Sequence, residues 1–310
     1  MIRSTLLLLA FALPTSAQTG AVSVFGPITG AFDLDGDAWA VDTGGGASGV
    51  AVTRHRGRTP VGEGGVGFEY TQLHFNDAAP AVPTRLIRVE AALGYVLDEI
   101  DLGGHAWLIT GTAGAGVASS APGSDADGLY TLGSVMGSVK RWGGTVRVGL
   151  TWDGNRSVLP DVPLPVLAYE RDSDIEGGEA ELGLTLGYPT SRVTWRPSPG
   201  WTLSAGLDRL DAVSADVRFA LTDTFALTAA YGGFYDQFHV EDDNPNRRVF
   251  FVSQRFEAGA ELSGDWGRVG LSGGYALGQE LRRGWDLRNT DIIAEFDDGP
   301  FVRVAWRVGF

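Results

Sequence analysis

The chain has 310 residues, 24 Lys+Arg against 38 Asp+Glu, a formal charge of -14, 45 glycines and no cysteine. The acidic balance argues against gripping nucleic acid, which basic patches do. The missing cysteines exclude disulfides, thiolate zinc sites, a cysteine nucleophile and a lipidated N-terminal cysteine.

The first residues read as an address. Arg3 precedes the apolar run Leu6 to Leu13, Pro14 breaks it, and Thr15-Ser16-Ala17 supplies small residues for cleavage. Residues 1–17 are therefore predicted to be a secretory signal peptide, and 18–310 one β-barrel domain. The apolar run is too short for a bilayer-spanning helix, which needs about 20 residues. The longest later run, Ala106 to Ala121, is interrupted by Gly111, Gly114 and Gly116.

Asp33, Asp35 and Asp37 come next. Their spacing suits a calcium loop, but Ala38 stands where the EF-hand needs glycine and Gly44 where it needs the bidentate glutamate. A solvated turn is the alternative. From about residue 46 the signal is alternation with period two. Candidate strands are 46–55, 64–76, 84–98, 104–118, 128–141, 144–154, 161–170, 179–187, 190–197, 200–209, 211–221, 224–238, 248–263, 266–281 and 298–310. In Val146, Val148, Leu150 and Trp152 the apolar set falls on one face; Thr145, Arg147, Gly149 and Thr151 fall on the other. The polar face carries small residues and charges of both signs, and tryptophans gather near strand ends. That is the pattern of a transmembrane barrel: apolar outside, polar inside, aromatic girdles at both rims.

The expected fold is all-β, an antiparallel transmembrane β-barrel of 12–14 strands, with 14 favoured. Barrels of this kind use even numbers, so one or three of the fifteen candidates would merge. The stretches 36–55 and 161–197 are the ambiguous ones. Short turns at 142–144, 197–200, 221–224 and 263–266 are predicted to be periplasmic. Longer loops at 77–83, 119–127, 154–162, 239–247 and 282–297 are predicted to be extracellular.

The terminal Val304, Trp306, Val308 and Phe310 resemble the insertion signal of bacterial outer-membrane barrels. More narrowly, VPLPVLAYERD, LGYPTSRVTWRPSPGWTLSAG, GGYALGQEL and DDGPFVRVAWRVGF resemble a family of bacterial outer-membrane β-barrels known as a domain of unknown function. The resemblance covers most of 18–310 and is best after residue 160. It implies the barrel fold, a place in the outer membrane, outer-membrane lipid as surroundings and the barrel assembly machinery as a partner. It implies no catalytic residue and no cofactor.

The candidate functional residues are the charges that this register turns inward. They are Arg88, Glu90, Arg147, Glu181, Arg192, Arg196, Asp208, Asp216, Arg218, Arg255, Glu257, Glu261, Arg268, Arg303 and Arg307. They could form a selective constriction or a salt-bridged plug. Acidic stretches around Glu241, Asp242 and Asp243, and around Asp291, Glu295, Asp297 and Asp298, are candidates for holding divalent cations, with a solvated charge run as the alternative. The histidines His55, His74, His105 and His239 match no motif of an outer-membrane hydrolase. The expected function is a passive or substrate-selective channel for small solutes. The alternative is a closed structural or surface-interaction barrel; an enzyme is not expected.

Overall fold

The structure is a computed structural model, and it describes residues 32–41, 49–61, 64–76, 82–120, 128–171, 181–188, 190–208, 212–239 and 248–309. The predicted signal peptide, Glu241, Asp242, Asp243 and Phe310 lie outside these residues.

Each period-two run becomes a strand. In chain order they are β1 (Asp33–Val41), β2 (Val50–Val61), β3 (Gly64–Phe75), β4 (Arg85–Asp101), β5 (Ala106–Ser119), β6 (Leu129–Arg141), β7 (Gly144–Asp153), β8 (Leu164–Arg171) and β9 (Glu181–Tyr188). There follow β10 (Thr190–Arg196), β11 (Trp201–Asp208), β12 (Ala212–Ala220), β13 (Phe225–His239), β14 (Arg248–Gly264), β15 (Gly267–Asp286), β16 (Asn289–Phe296) and β17 (Gly299–Gly309). Neighbours pair antiparallel from β1 through β15; β15 then pairs with β17, and β17 with β1. The ring closes with sixteen strands. β16 stands outside it, pairing with the upper part of β15 above the stretch that β17 occupies.

The expected strand number of 12–14 is thus corrected to sixteen. All fifteen candidate segments are strands and none merges; the missing one is β1. In sequence its residues suggest a calcium loop or a solvated turn, because Asp33, Asp35 and Asp37 obscure an alternation with Leu34, Gly36, Ala38 and Ala40. Closure supplies the driving force: β1 satisfies the free edges of both β2 and β17, which would otherwise present unpaired backbone groups.

The outer face of the wall is exposed and apolar. Leu93, Leu150, Leu167, Leu271 and Val302 are each more than half exposed. Such a surface needs lipid or another protein to cover it. The end where β1 starts and β17 stops is here the lower end. Its β6–β7 turn is tight, with Trp142 and Gly143 at φ 53° and 73°, the conformation of a type I′ hairpin.

The predicted asymmetry of short lower turns and long upper loops holds for part of the ring only. β8 to β12 have 8, 8, 7, 8 and 9 residues, whereas β13, β14 and β15 have 15, 17 and 20. On that low side the upper ends of β9 and β10 are one residue apart in the chain, whereas nine residues separate β8 from β9 at their lower ends. The segment 282–297, expected as an extracellular loop, is instead the β15–β16 hairpin. Gly278, at φ 55°, lies at the bulge that re-aims β15 into this hairpin, and its N–H donates to Asp298 at 2.7 Å.

Candidate functional site: a lumen in two unequal halves

The barrel interior differs from one side to the other. On β1–β5 and β13–β17 the upper half is dry. Trp39, Leu73, Phe75, Phe234, Phe251 and Phe301 belong to one buried cluster that fills the space between opposing walls. Phe75 stacks on Phe296 with centroids 5.0 Å apart, and Phe251 meets Phe75 edge-on at 5.8 Å. These residues alternate with outward residues along their strands, so the fill is written into the same period that builds the wall.

The fill is possible because the β13–β14 hairpin leans into the lumen. β13 and β5 lie on opposite sides of the ring, yet His239 pairs with Ser119 at their upper ends. A wall strand should bury one face. Here both faces are buried: Asp236, Gln237 and Phe238 are 4, 2 and 0 % exposed, and Val249, Phe250 and Phe251 are 1, 1 and 0 % exposed. One face meets the apolar cluster. The other is covered by loop 154–163. From that loop, Asn155 Nδ2 donates to the Gln237 carbonyl (3.2 Å), while Arg248 Nη2 donates to the Gly154 carbonyl (3.2 Å) and to Asp161 (2.5 Å). Leu287 N donates to the Ser157 carbonyl at 2.8 Å. Leu159 and Asp161 sit at φ 51° and 61°, sparsely populated for such residues, so these bonds hold a strained loop in place.

Beneath the apolar fill lies an ionic layer. Asp236, on β13, accepts from Arg54 Nη2 (2.8 Å) and from Arg88 Nη1, tying the leaning hairpin to β2 and β4 across the lumen. Arg88 also bridges Glu69, which accepts from Arg56 at 2.8 Å. Glu90 accepts from the Tyr130 hydroxyl at 2.6 Å. Arg303 bridges Asp37 (3.0 Å) and Glu257 (2.6 Å), and Arg307 binds Asp33 with two bonds, at 2.9 and 2.8 Å. Arg255 differs: its guanidinium lies 4.6 Å from the Trp39 ring and 5.0 Å from that of Phe234, and neither Nε nor Nη1 has a hydrogen-bond partner among the described residues. Cation–π attraction offsets its desolvation.

β6 and upper β8 turn the buried Tyr130, Leu132, Met136, Leu164 and Val166 inward, and Tyr130 and Leu132 join the apolar cluster. The other side, β9 to β12 with the lower parts of β7 and β8, is open in character. Its inward positions are mostly Gly, Ala, Ser and Thr, and its charges are accessible and paired along the wall. Arg147 meets Glu170 at 2.9 Å, Arg192 meets Asp216 at 3.5 Å and Arg196 meets Glu181 at 2.7 Å. Asp216 and Arg196 keep 43 and 55 % of their side-chain surface, against 1 % for Asp236. At its edge Glu261 accepts from Arg218 (2.9 Å) and lies 3.5 Å from Arg268.

The inward charges expected from sequence therefore divide. Arg88, Glu90, Arg255, Glu257, Arg303 and Arg307 belong to the filled side. Arg147, Glu181, Arg192, Arg196, Asp216 and Arg218 line the open side, with Glu261 and Arg268 at the boundary; Asp208 ends β11. Asp33, Asp35 and Asp37 form neither a calcium loop nor a solvated turn: they lie on the inner face of β1, where arginines engage Asp33 and Asp37. Among the described residues no group of three or more His, Asp or Glu is placed to hold a metal ion. Asp291 and Glu295 lie on β16 rather than in a loop. His74 and His105 sit at opposite ends of the wall, on upper β3 and in the lower turn 102–105. Val304 and Trp306 face outward on β17, and Val308 is buried.

Arg54, Arg56, Glu69 and Asp236 were missed. The signal was present: Arg54, Arg56 and Arg58 recur at every second position, opposite Asp37, Asp35 and Asp33 at the same spacing.

No family model and no curated protein matches the chain. Solved structures similar to it include in-vitro folded OmpT, an outer membrane protein of Vibrio cholerae. It is 11 % identical, with 90 % of this chain and 96 % of that one covered, at a TM-score of 0.29. A mutant of Rh. blastica porin is 9 % identical, with 91 % and 99 % covered, at a TM-score of 0.28.

Proposed function

We propose that the chain is an outer-membrane β-barrel whose lumen conducts small polar solutes through an off-centre path along β9–β12 and the lower parts of β7 and β8. The single observation behind this is the contrast across the lumen. One side is packed with aromatic rings and buried ion pairs; the other presents small side chains and accessible, mutually compensated charges. Water-filled passages need that second kind of lining, because it leaves room and does not strip a solute of its hydration.

The membrane reading follows from the ring itself. A closed barrel leaves no free sheet edge, and the exposed outer Leu, Val and aromatic residues suit hydrocarbon better than water. In this reading the lower end, which holds the start of β1 and the end of β17, faces the periplasm. The C-terminal strand, with Val304 and Trp306 outward, is what the assembly machinery would read. The predicted signal peptide fits export.

One observation favours the closed-barrel alternative: loop 154–163 crosses the upper mouth and is bonded to β13, β14 and the β15–β16 hairpin. Single-channel recording on refolded protein in planar bilayers separates the two. Stable ohmic steps support the channel. A folded, heat-modifiable barrel without conductance would make the lumen a plug.

A further inference from the structure

The outer wall carries a sector that is poorly suited to lipid. From β5 to β13 the outward positions are dominated by Leu, Val, Trp, Phe, Tyr, Ala and Gly, with Leu150, Leu167, Leu186 and Leu227 among the exposed ones. On β2 and β3 the outward positions include Thr53, His55, Tyr70, Gln72 and His74, because Arg54, Thr71 and Leu73 between them face the lumen. The Tyr70 hydroxyl donates to Gln72 Oε1 at 2.5 Å. That leaves the Gln72 amide NH2, both imidazoles and the Thr53 hydroxyl as hydrogen-bonding groups on the outer face.

The neighbouring strand is small: β1 turns Gly36, Ala38 and Ala40 outward. A Cβ on Gly36 would come within 2.9 Å of the Trp306 ring and 3.0 Å of His55 Nδ1, so those two rings lie low across β1. They stand 5.4 Å apart, centroid to centroid, and the Phe68 ring covers Gly57 in the same way. The result is a flat, partly polar face. His55 pairs in register with Gly36, Thr53 with Ala38 and Gln72 with Thr53, near the middle of β1, so these polar groups sit at mid-wall, with His74 above them near the upper rim.

Resting on the membrane reading above, we infer that the β17–β1–β2–β3 face is where a second copy of this chain docks, about a two-fold axis normal to the membrane. Polar groups at hydrocarbon depth need partners that lipid does not offer, and small residues let two walls approach closely. A two-fold axis normal to the membrane keeps every residue at its own height. It therefore brings a polar group of one copy against polar groups of the other at the same depth, which an unrelated partner would have to match independently. His, Gln and Thr each donate and accept, so the face is complementary to itself. Four strands at about 4.8 Å spacing and about 25 Å of spanning height give roughly 500 Å² of flat wall. Side-chain relief adds to this, toward the about 800 Å² per partner of a stable interface.

The absence of native cysteine makes the test clean. Single variants Thr53→Cys and, on the low side, Leu186→Cys are folded into lipid vesicles and mildly oxidised. A covalent dimer from Thr53→Cys and monomer from Leu186→Cys is the expected result. In the double variant His55→Leu/Gln72→Leu, carrying Thr53→Cys, the cross-link should fall severalfold while the heat-modifiable barrel persists, so loss of dimer is not loss of fold. A folded, membrane-embedded monomer from Thr53→Cys, or equal cross-linking at both positions, overturns the inference. Protein that stays soluble without detergent overturns the membrane reading instead.

Discussion

Asp236→Asn tests the cross-lumen clamp. The substitution keeps the shape of the side chain and removes only its charge, so packing of the β13–β14 hairpin is preserved at the outset. Asp236 has 1 % of its side-chain surface exposed and faces two guanidiniums, Arg54 at 20 % and Arg88 at 9 %. Arg88 keeps Glu69, and Arg54 keeps its position 4.1 Å over the Phe234 ring, but both lose their shared counter-charge. Breaking a buried pair by neutralising one partner costs about 3–5 kcal/mol. Because Arg54 is the more exposed of the two and retains the ring, the lower half of that range is expected. Reversible denaturant unfolding in vesicles, followed by tryptophan fluorescence, measures it. The same variant should record a larger or noisier unit conductance, since the hairpin is what seals the dry half. Adding Arg88→Met removes the uncompensated cation and should restore most of the stability. A loss below about 1 kcal/mol, the scale of an exposed pair, with unchanged conductance, would refute the clamp.

Four further outcomes are expected. Phe251→Ala, which empties the centre of the apolar fill, should destabilise the barrel by about 3–5 kcal/mol, read by the same unfolding assay. Arg192→Gln combined with Arg218→Gln should shift reversal potentials toward cation preference, whereas Arg303→Gln on the filled side should leave them in place; the opposite ranking would put the path on the other side. Arg248→Gln frees loop 154–163 from Gly154 and Asp161 and should raise conductance, provided that loop bars the mouth. Asp286 lies at the β15–β16 tip, beyond the spanning wall. Burial acts to raise its pKa, but hydrogen bonds from the Arg288 side chain and backbone and from the Leu159 backbone outweigh this and hold the carboxyl below its ordinary value. Its stabilisation is present above about pH 3.9 and is lost as pH falls through the lower native value. Acidification should thus speed hydrogen exchange at Leu159 and Leu287, and Asp286→Asn should do so at neutral pH.

Period two by itself determined the wall. Each strand registers its side chains as inside or outside, so fifteen of the sixteen ring strands were legible as local alternation, and so was the inward direction of Arg147, Arg192 and Arg303. The parity rule is legible too, but fifteen candidates satisfy it by a merger as readily as by an added strand, and alternation alone does not choose between them. β1 escaped because its inner positions are acids and its outer ones mostly Gly and Ala, which hides the hydrophobic contrast that period-two reading depends on. Its partner carried the clue, three arginines at matching spacing on β2, but only pairing converts two polar runs into one ladder.

What tertiary structure alone decided is the division of the lumen. Alternation says that Phe234, Asp236 and Phe251 face inward; it cannot say that β13 leans across the ring to meet β5, because that depends on contacts between strands far apart in the chain. The lean turns inward aromatics into a dry fill, buries the second face of the hairpin under loop 154–163, and sorts one set of inward charges into a clamp and a passage. Local sequence fixes the direction of a side chain; the distance to the opposite wall is a property of the closed ring.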